Sequence, residues 1–259
     1  MTELRFDDPC VLFALSREAG AFLREFRAHQ RFPEAPCWAR FCGPAWLTLL
    51  VLQTGIGADR TAAALTWLLQ APLLGNVPYR PRVVLSAGFA GALREGLRAG
   101  DVVLATEIVD AQGSRWPATW PGELPAGEWR PPLRRGRLLT MPHLVGDPKE
   151  KQRLGQTQDA WAVDMESAIV AQACTRAGIP FGCLRVVTDD VHTALASDLI
   201  ALLSRQRASP FRLLAALPRR PSLIRDLARL TRVTRHAAHQ LALALGEVLT
   251  LTLPGGREL

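Results

Sequence analysis

Apolar runs of strand length alternate with longer segments of helical periodicity through most of the chain. The run CVLFAL predicts a buried strand at 10–15, and the apolar positions that follow recur at helical spacing over 16–29. The same alternation continues, with strands predicted at 45–55, 82–91, 101–110, 136–142, 161–164 and 180–188 and helices at 56–70, after Asp147 and at 166–178. Strands that alternate with helices indicate the α/β class, with a mixed, mostly parallel central sheet flanked by helices.

The end of the chain is predicted to form a helical extension at 195–250. Its expected breaks are Pro210, Pro218 and Pro221. No Ser/Gly-rich linker, low-complexity tract or internal repeat divides the sequence. We therefore expect a single domain over 1–259, with its core at 10–192.

The charge of the chain is basic, with 31 basic and 24 acidic side chains and a net charge of +7. A basic surface attracts nucleic acid, anionic lipid or an anionic small molecule without choosing between them. Because no helix-turn-helix and no base-stacking aromatic pattern accompanies the charge, no nucleic-acid partner is expected. No apolar run approaches the roughly 18 residues of a membrane span, and acids precede the first apolar run where a signal peptide would be basic. A cytoplasmic protein is expected.

The five cysteines and five histidines show no spacing typical of a metal site. Cys37 and Cys42 are too loosely spaced to argue for zinc, and the other three cysteines lie in apolar runs, where a thiol behaves as a small hydrophobe. His236 and His239 are three apart on a predicted helix, without a nearby acid or cysteine. No metal and no organic cofactor is expected.

Two segments, a loop with three tryptophans and an arginine-rich tail helix, each allow two interpretations. Trp116, Trp120 and Trp129 in the Pro-rich loop 111–132 either contact a ligand or pack the loop on the body, and we expect packing for at least two. One face of the tail helix carries Arg225, Arg229, Arg232 and His236, and another carries Leu223, Leu227, Leu230 and Thr234. Such a helix fits weak contact with an anionic membrane surface, and it also fits packing on the body with a solvated arginine face.

Carboxylates bracket a buried helix and a buried strand in AVDMESAIVAQACTRAGIPFGCLRVVTDD, at 162–190. Asp164 precedes the helix, Glu166 begins it, and Asp189 follows the strand CLRVV. Acids at a helix start or in a turn have ordinary structural roles, but carboxylates at the ends of buried elements are costly unless they are used. Arg185 within the same strand requires a buried anionic partner. These acids are therefore candidate site residues.

Two glycine-rich turns follow predicted strands. In TGIGADR, at 54–60, Arg60 takes the third glycine position of a dinucleotide-binding turn, so we interpret this segment as a tight strand-to-helix turn. In SAGFAGAL, at 86–93, small residues permit close approach of a ligand or of a neighbouring strand. Ligands in α/β sheets bind where strands end, and Gly88 and Asp189 both fall at such ends.

Four motifs occur together in the order and spacing of a known family. They are TGIGADRTAAAL, SAGFAGALREGLRAGDVVLA, AVDMESAIVAQACTRAGIPF and RVVTDD, and over about residues 10 to 192 the chain resembles the nucleoside phosphorylase/nucleosidase superfamily. Within it, the chain is similar to methylthioadenosine/adenosylhomocysteine nucleosidases. It resembles more closely still the bacterial hopanoid-associated phosphorylases, in AVDMES, GDPKEK and an Arg-rich helical tail.

The resemblance implies a phosphorylase/hydrolase-like fold and an enzyme that cleaves the N-glycosidic bond of a purine nucleoside with a 5′-substituted ribose. By family position, Asp189 protonates the leaving base, and Glu166 accepts hydrogen bonds from the ribose hydroxyls. Met165 packs against the sugar, and Glu18 matches the residue that activates water in hydrolytic members. Without the resemblance, Glu18 is equally well a helix-start acid. The resemblance also implies a small-molecule purine nucleoside as partner and a homo-oligomer.

Phosphorolytic members of the family hold phosphate with an Arg and a Ser beside the turn at Gly88, and the chain departs from that pattern. Ser86 stands at the arginine position and Phe89 at the serine position. Arg17, Arg60 or Ser86 are the candidate substitutes. The sequence therefore leaves open hydrolysis, phosphorolysis with phosphate as co-substrate, or a nucleoside-binding module that has lost catalysis.

Overall fold

The computed structural model describes residues 8–43, 47–70, 73–74, 77–120, 131–195 and 221–252, with the main chain alone at 73–74, 77–78, 221–230 and 252. Its strands are Cys10–Phe13 (β1), Ala28–Arg31 (β2), Trp38–Cys42 (β3), Leu49–Gln53 (β4), Leu73–Leu74 (β5), Val77–Pro78 (β6), Val84–Ala92 (β7), Val102–Asp110 (β8), Arg115–Pro117 (β9), Leu133–Thr140 (β10), Ala160–Asp164 (β11) and Phe181–Asp189 (β12). Its helices are Ser16–Glu25 (α1), Ala58–Gln70 (α2), Pro148–Thr157 (α3), Ser167–Ala177 (α4) and Pro221–Thr252 (α5).

The main sheet is mixed and, within the described residues, has the order β11-β10-β8-β12-β7-β1-β4-β3-β2, with β9 paired to β8. Parallel pairings join β4, β1, β7 and β12 through its centre, whereas β3 is antiparallel to β4 and β8 to β12. The long β7 also pairs antiparallel with β11, which closes part of the sheet into a ring. Buried aliphatic side chains of strands and helices fill the core. The α/β class, with a mixed sheet flanked by helices, is confirmed.

The hairpin at one edge of the sheet differs from the prediction. The helix predicted over 16–29 ends at Glu25, and Ala28–Arg31 forms β2, antiparallel to β3. Three of the four β2 residues are exposed, so this strand lacks the apolar alternation by which a half-buried strand is found in a sequence. The helix prediction was therefore too long, and the edge hairpin was missed.

The loop predicted at 111–132 contains a short strand, β9, which pairs antiparallel with β8. Trp116 packs against the main core cluster. Trp120 donates its Nε1–H to a β8 carbonyl at 3.0 Å, and its ring lies against Gly182. Both side chains pack the loop on the body, as predicted for at least two of the three, and Trp129 lies outside the described residues.

The long helix α5 begins at Pro221, one of the predicted breaks, and packs on α1 and β12. Its buried side chains include Ala237, Leu241, Leu245 and Val248. Arg232 and Arg235 are exposed, so the described side chains pack on the body and leave a solvated arginine face. Outside the described side chains lie Pro210, Pro218, Leu223, Arg225, Leu227, Arg229 and Leu230. Within the described part of the chain, every helix is too short or too polar to cross a membrane.

The carboxyl ends of the central strands meet at one edge of the sheet. β1 leads into α1, with Glu18 in its first turn, and β12 ends at Asp189. β11 ends at Asp164, directly before Met165 and Glu166. The fold therefore gathers acids that are distant in sequence at the edge where ligands bind in α/β sheets.

Candidate active site

A cleft opens at this edge, with about 1040 Å³ of empty volume counted out to its solvent-open mouth. The carboxylates that line it are Glu18, Asp164, Glu166 and Asp189. Much of its remaining wall is apolar and comprises Leu15, Ile56, Phe89, Leu144, Val145, Val163 and Met165. Of the predicted site residues, only Ser86 and Gly88 are absent from this lining, and they line a smaller cavity beside it in the described structure.

Glu18 is a buried carboxylate held by main-chain amides. Its Oε2 accepts a hydrogen bond from the Leu15 N–H at 2.7 Å, and its Oε1 accepts one from the Phe89 N–H at 2.9 Å. Burial raises the pKa of Glu18, and the amide hydrogen bonds oppose this increase. A fixed carboxylate with a raised pKa is suited to accept a proton.

Gly88 and Phe89 lie within β7, which continues to Ala92, so the prediction of a strand end and a turn at Gly88 was wrong. This part of the strand is shaped around Glu18. A Cβ atom on Gly88 would lie 2.8 Å from Glu18 Oε1, so a larger residue here would displace the Glu18 carboxylate. The next residue, Phe89, contributes its main-chain N–H to Glu18 and its side chain to the cleft wall. Because the contact is made by the main chain, the missing hydroxyl at Phe89 does not prevent this strand from positioning Glu18.

Glu166 is the N-cap residue of α4, but its side chain makes no capping hydrogen bond. Its Oε1 instead accepts the Gly57 N–H at 2.9 Å. Burial, and next the nearby charge of Asp164, raise the pKa of Glu166 to about 7. TGIGADR is the tight turn that was predicted, with Gly57 at φ +98°. Sequence analysis missed that this turn also holds a site carboxylate.

Asp164 and Arg185 form a buried ion pair beneath the cleft. Arg185 donates to Asp164 Oδ2 from Nη2 at 2.8 Å and from Nε at 2.9 Å. Thr140 and Ser167 donate their hydroxyls to the same carboxylate at 2.8 and 2.6 Å. The buried anionic partner that Arg185 requires is therefore Asp164, and the prediction of such a partner is confirmed.

The smaller cavity has about 290 Å³ of empty volume, and both Glu18 and Glu166 line it. Arg185 and Thr61 line it as well. The Thr61 Oγ1 is buried and has no hydrogen-bond partner within the described residues. A small cavity with polar groups of this kind is suited to hold water.

The candidate substitutes for a phosphate site lie in different places. Ser86 lines the smaller cavity, where its Oγ accepts a hydrogen bond from Arg185 at 2.8 Å. Arg17 lines the main cleft. The Arg60 side chain folds against Gly55, with Nη1 3.0 Å from where a Cβ of that glycine would lie. The three candidates do not converge on one cavity.

Asp189 is paired with a buried lysine that sequence analysis missed. Lys151 Nζ donates to Asp189 Oδ2 at 2.5 Å, and the Thr188 hydroxyl donates to Oδ1 at 2.8 Å. Asp147 caps α3 as predicted, by accepting the main-chain N–H groups of Lys149 and Glu150. The signal for Lys151 was its place on the body-facing side of that helix, four residues after the cap.

The two histidines flanking the site are peripheral. His143 lines the cleft and lies 3.7 Å from Glu150, and His192 lies 3.5 Å from Glu95. In the described ranges, no group of three His, Cys, Asp or Glu side chains is arranged to hold a metal ion. The expectation that no metal or organic cofactor is needed stays a prediction.

Comparison with known proteins shows the family. A model of the phosphorylase superfamily matches residues 10–217, and the chain belongs to this superfamily. The chain is 29% identical over 166 residues to the 5′-methylthioadenosine/S-adenosylhomocysteine nucleosidase of an Exiguobacterium species, covering 55% of this chain and 68% of the relative. It is 25% identical over 191 residues to the nucleosidase of the same name from Staphylococcus aureus, covering 65% and 80%.

Solved structures share the fold along almost the whole chain. The Helicobacter pylori 5′-methylthioadenosine/S-adenosylhomocysteine nucleosidase, complexed with a substituted pyrrolidin-3-ol, has a TM-score of 0.68 at 17% identity and covers 95% of this chain and 99% of that one. The futalosine hydrolase of the same organism has a TM-score of 0.68 at 16% identity, with 94% and 97% covered. Family membership and the cleft together define an enzyme that cleaves nucleoside N-glycosidic bonds.

Proposed function

We propose that the enzyme hydrolyses the N-glycosidic bond of a purine nucleoside and releases adenine from a ribose that carries a 5′ substituent. The observation that carries this proposal is that Glu18 and Asp189 line one cleft. A base for water and an acid for the departing purine are the two proton-transfer groups that such a hydrolysis uses.

Glu18 is the proposed base. Its two carboxylate oxygens are oriented by the amides of Leu15 and Phe89, and the adjoining cavity offers space for water. In this mechanism a water oxygen forms a bond to the anomeric carbon of the ribose while the carbon–nitrogen bond breaks. Glu18 takes one water proton, and the electron pair of the broken bond stays on the purine.

Water is favoured over phosphate by the charges around the smaller cavity. Glu18 and Glu166 both line it, and an anion placed between two carboxylates is repelled. The one arginine in its described lining, Arg185, is already paired with Asp164. The environment therefore supports a neutral nucleophile.

The other groups are assigned to the purine and the sugar. Asp189 is the proposed proton donor to a ring nitrogen of the leaving purine. Glu166 is proposed to accept hydrogen bonds from the ribose hydroxyls, and Met165 to pack against the sugar. Both side chains line the cleft next to Glu18.

The substituent on the 5′ carbon is proposed to be apolar. The cleft wall has aliphatic side chains at Ile56, Leu144 and Val145, and it extends to Thr234 of α5. A bulky lipid substituent, as in adenosylhopane, is the proposed substrate class, and the small methylthio group of methylthioadenosine is the alternative. An apolar wall accepts either one because such contacts are not directional.

Adenine release tests the proposal. Adenosine, methylthioadenosine and adenosylhopane would be incubated with the enzyme, with and without phosphate, and the products separated by chromatography. We expect adenine and free ribose derivative in phosphate-free buffer, with the highest kcat/KM for the lipid nucleoside. A ribose 1-phosphate product that forms only with phosphate would replace hydrolysis by phosphorolysis. Tight binding of the nucleosides without any adenine release would instead indicate a binding module.

Further expectations stay predictions. We expect a homo-oligomer, which light scattering of the purified protein measures. Weak contact of α5 with anionic membranes is expected to depend on Arg232 and Arg235, which are exposed on its solvent side. Cosedimentation with vesicles of anionic and of neutral lipid tests this contact. No nucleic-acid partner is expected, and a cytoplasmic location is testable by fractionation.

A further inference from the structure

Lys151 carries one of the most deeply buried charges in the described structure, with none of its surface exposed. Its ammonium group donates to Asp189 Oδ2 at 2.5 Å, to the Thr193 carbonyl at 2.9 Å and to the Asp190 carbonyl at 3.1 Å. An ammonium group has three N–H donors, and these three acceptors use all of them. The lysine is therefore fully engaged in one geometry.

The position of Lys151 disfavours its positive charge unless its partner is negatively charged. It lies in the first turns of α3, where the helix dipole disfavours a cation. A buried ammonium is also expensive without an anion. Among the three acceptors only Asp189 carries a negative charge, so the ion pair with Asp189 accounts for a charged lysine at this place.

Lys151 is absent from the described lining of the cleft, whereas Asp189 is part of it. The lysine therefore does not face the substrate and can act on the reaction only through Asp189. The carboxylate is held from both sides, because Thr188 donates to its other oxygen and Gly91 leaves room for it. A Cβ on Gly91 would lie 3.0 Å from Asp189 Oδ2.

We propose that Lys151 is a positioning residue that holds Asp189 toward the leaving purine and supplies the proton that Asp189 passes on. This inference rests on the proposed function. An Asp189 carboxylate paired with an ammonium group has no proton of its own to give. The pair as a whole has one, on the lysine nitrogen.

The proton transfer balances within the pair. As the glycosidic bond breaks, its electron pair moves to the purine. A proton moves from Lys151 Nζ to Asp189 Oδ2, and the carboxylic acid so formed gives a proton to a purine ring nitrogen. Asp189 ends as a carboxylate, Lys151 as a neutral amine and adenine as a neutral base. Solvent then returns a proton to Lys151 after the products leave.

The test is a double-mutant cycle with Lys151→Met and Asp189→Asn, measured as kcat and KM for adenine release. We expect Lys151→Met to lower kcat by roughly 10²-fold, the lower range for losing an acid catalyst, with KM changed only a few-fold. Asp189→Asn is expected to lower kcat at least as much. The double variant is expected to be no slower than Asp189→Asn alone, because the lysine acts only through the aspartate.

The matched control is Lys149→Met, which changes an exposed lysine of the same helix turn and is expected to keep full activity. A second substrate separates proton supply from structural support. 4-Nitrophenyl riboside has a leaving group that departs without protonation, so Lys151→Met is expected to cleave it within a few-fold of the wild-type rate. Equal slowing of both substrates would overturn the inference, and so would losses that add in full across the cycle.

Folding of the four proteins of the cycle, which are wild type, the two single variants and the double variant, is followed by thermal unfolding. Removing both charges leaves no unpaired buried ion, so the double variant is expected to be more stable than Asp189→Asn. The double variant can therefore still be assayed and compared with wild type if one single variant folds poorly. A fully active Lys151→Met would overturn this inference and leave the proposed function standing. A wild-type enzyme that releases no adenine would overturn both.

Discussion

The four carboxylates of the cleft fall into two pairs with opposite surroundings. Glu18 and Glu166 accept hydrogen bonds from main-chain amides and form no ion pair within the described residues. Asp164 and Asp189 each face a buried cation, Arg185 and Lys151. Burial raises the pKa of both members of the first pair, and the nearby charge of Asp164 adds to the increase at Glu166. The amide hydrogen bonds offset these increases only in part.

This difference matches the charges that develop when a nucleoside is cleaved. The sugar becomes electron-poor, and carboxylates without cations stabilise it and take a proton from water. The purine becomes electron-rich, and a carboxylate that is paired with a protonated cation can pass a proton to it. In the proposed mechanism, Glu18 and Glu166 therefore act on water and the sugar, and Asp189 acts on the purine. The predictions below are designed to abolish that division or measure it.

The largest effect is expected when Glu18 is changed to Gln. The amide cannot take the proton of water, so kcat should fall by about 10²–10⁴-fold while nucleoside binding is retained. Glu25→Gln, an exposed position on the same helix, is the control and should leave kcat unchanged. Adenine release and equilibrium binding of the nucleoside measure the two quantities. Unchanged turnover in Glu18→Gln would remove Glu18 from the mechanism.

The next largest effect is expected on stability, when the ion pair between Asp164 and Arg185 is broken. Arg185→Met leaves Asp164 as an uncompensated buried charge, which should lower the free energy of unfolding by about 3–5 kcal/mol. For a chain of this size that corresponds to a Tm lower by roughly 10 °C. Adding Asp164→Asn to the same chain removes the stranded charge and should recover part of the loss. If Arg185→Met unfolds at the wild-type temperature, the ion pair does not stabilise the site.

Glu166, one of the two carboxylates without an ion pair, is expected to make the stability of the protein depend on pH. Because the pKa of Glu166 is raised to about 7 from an ordinary value of 4.5, the native state keeps this proton where the unfolded state has lost it. The native state binds more protons between these values, so stability falls as pH rises through them. Glu166→Gln removes this contribution, and at pH 8 it should be stabilised relative to wild type by on the order of 1–3 kcal/mol more than at pH 4.5.

Thermal unfolding of both proteins at the two pH values measures that difference. Glu25→Gln, at an exposed carboxylate of α1, is the control and should show no such change. A Tm difference between wild type and Glu166→Gln that is constant with pH would contradict the raised pKa.

The sequence predicted the central strands and the acids of the site because both leave strong signals. Apolar runs such as CVLF and the strand ending at Asp189 predict buried strands. Two of the family motifs contain Glu166 and Asp189, and Glu18 matches a family position after the first strand. The edge strand β2 was missed because its exposed polar residues give no periodic signal. Boundaries at such edges depend on pairing with a neighbour, which a linear pattern does not contain.

Main-chain contacts, and ion pairs between residues far apart in the sequence, also could not be predicted from the sequence. The Phe89 N–H holds Glu18 whatever the side chain, so the departure from the family at Phe89 concerns the phosphate pattern and leaves the position of Glu18 intact. Lys151 and Asp189 are 38 residues apart, and neither position indicates the other. Such partners become visible only when the topology brings α3 against the end of β12.

The smallest expected effect tests a main-chain contact of this kind. Gly57 has φ +98°, and its N–H holds Glu166. In Gly57→Ala the strained backbone should cost about 1 kcal/mol and shift the amide, so KM should rise several-fold with kcat nearly unchanged. Gly96, at φ +88° in an exposed turn with open space around it, is the matched control. Gly96→Ala should lose similar stability and keep KM. An equal KM in both variants would mean that Glu166 does not depend on the turn to meet the ribose.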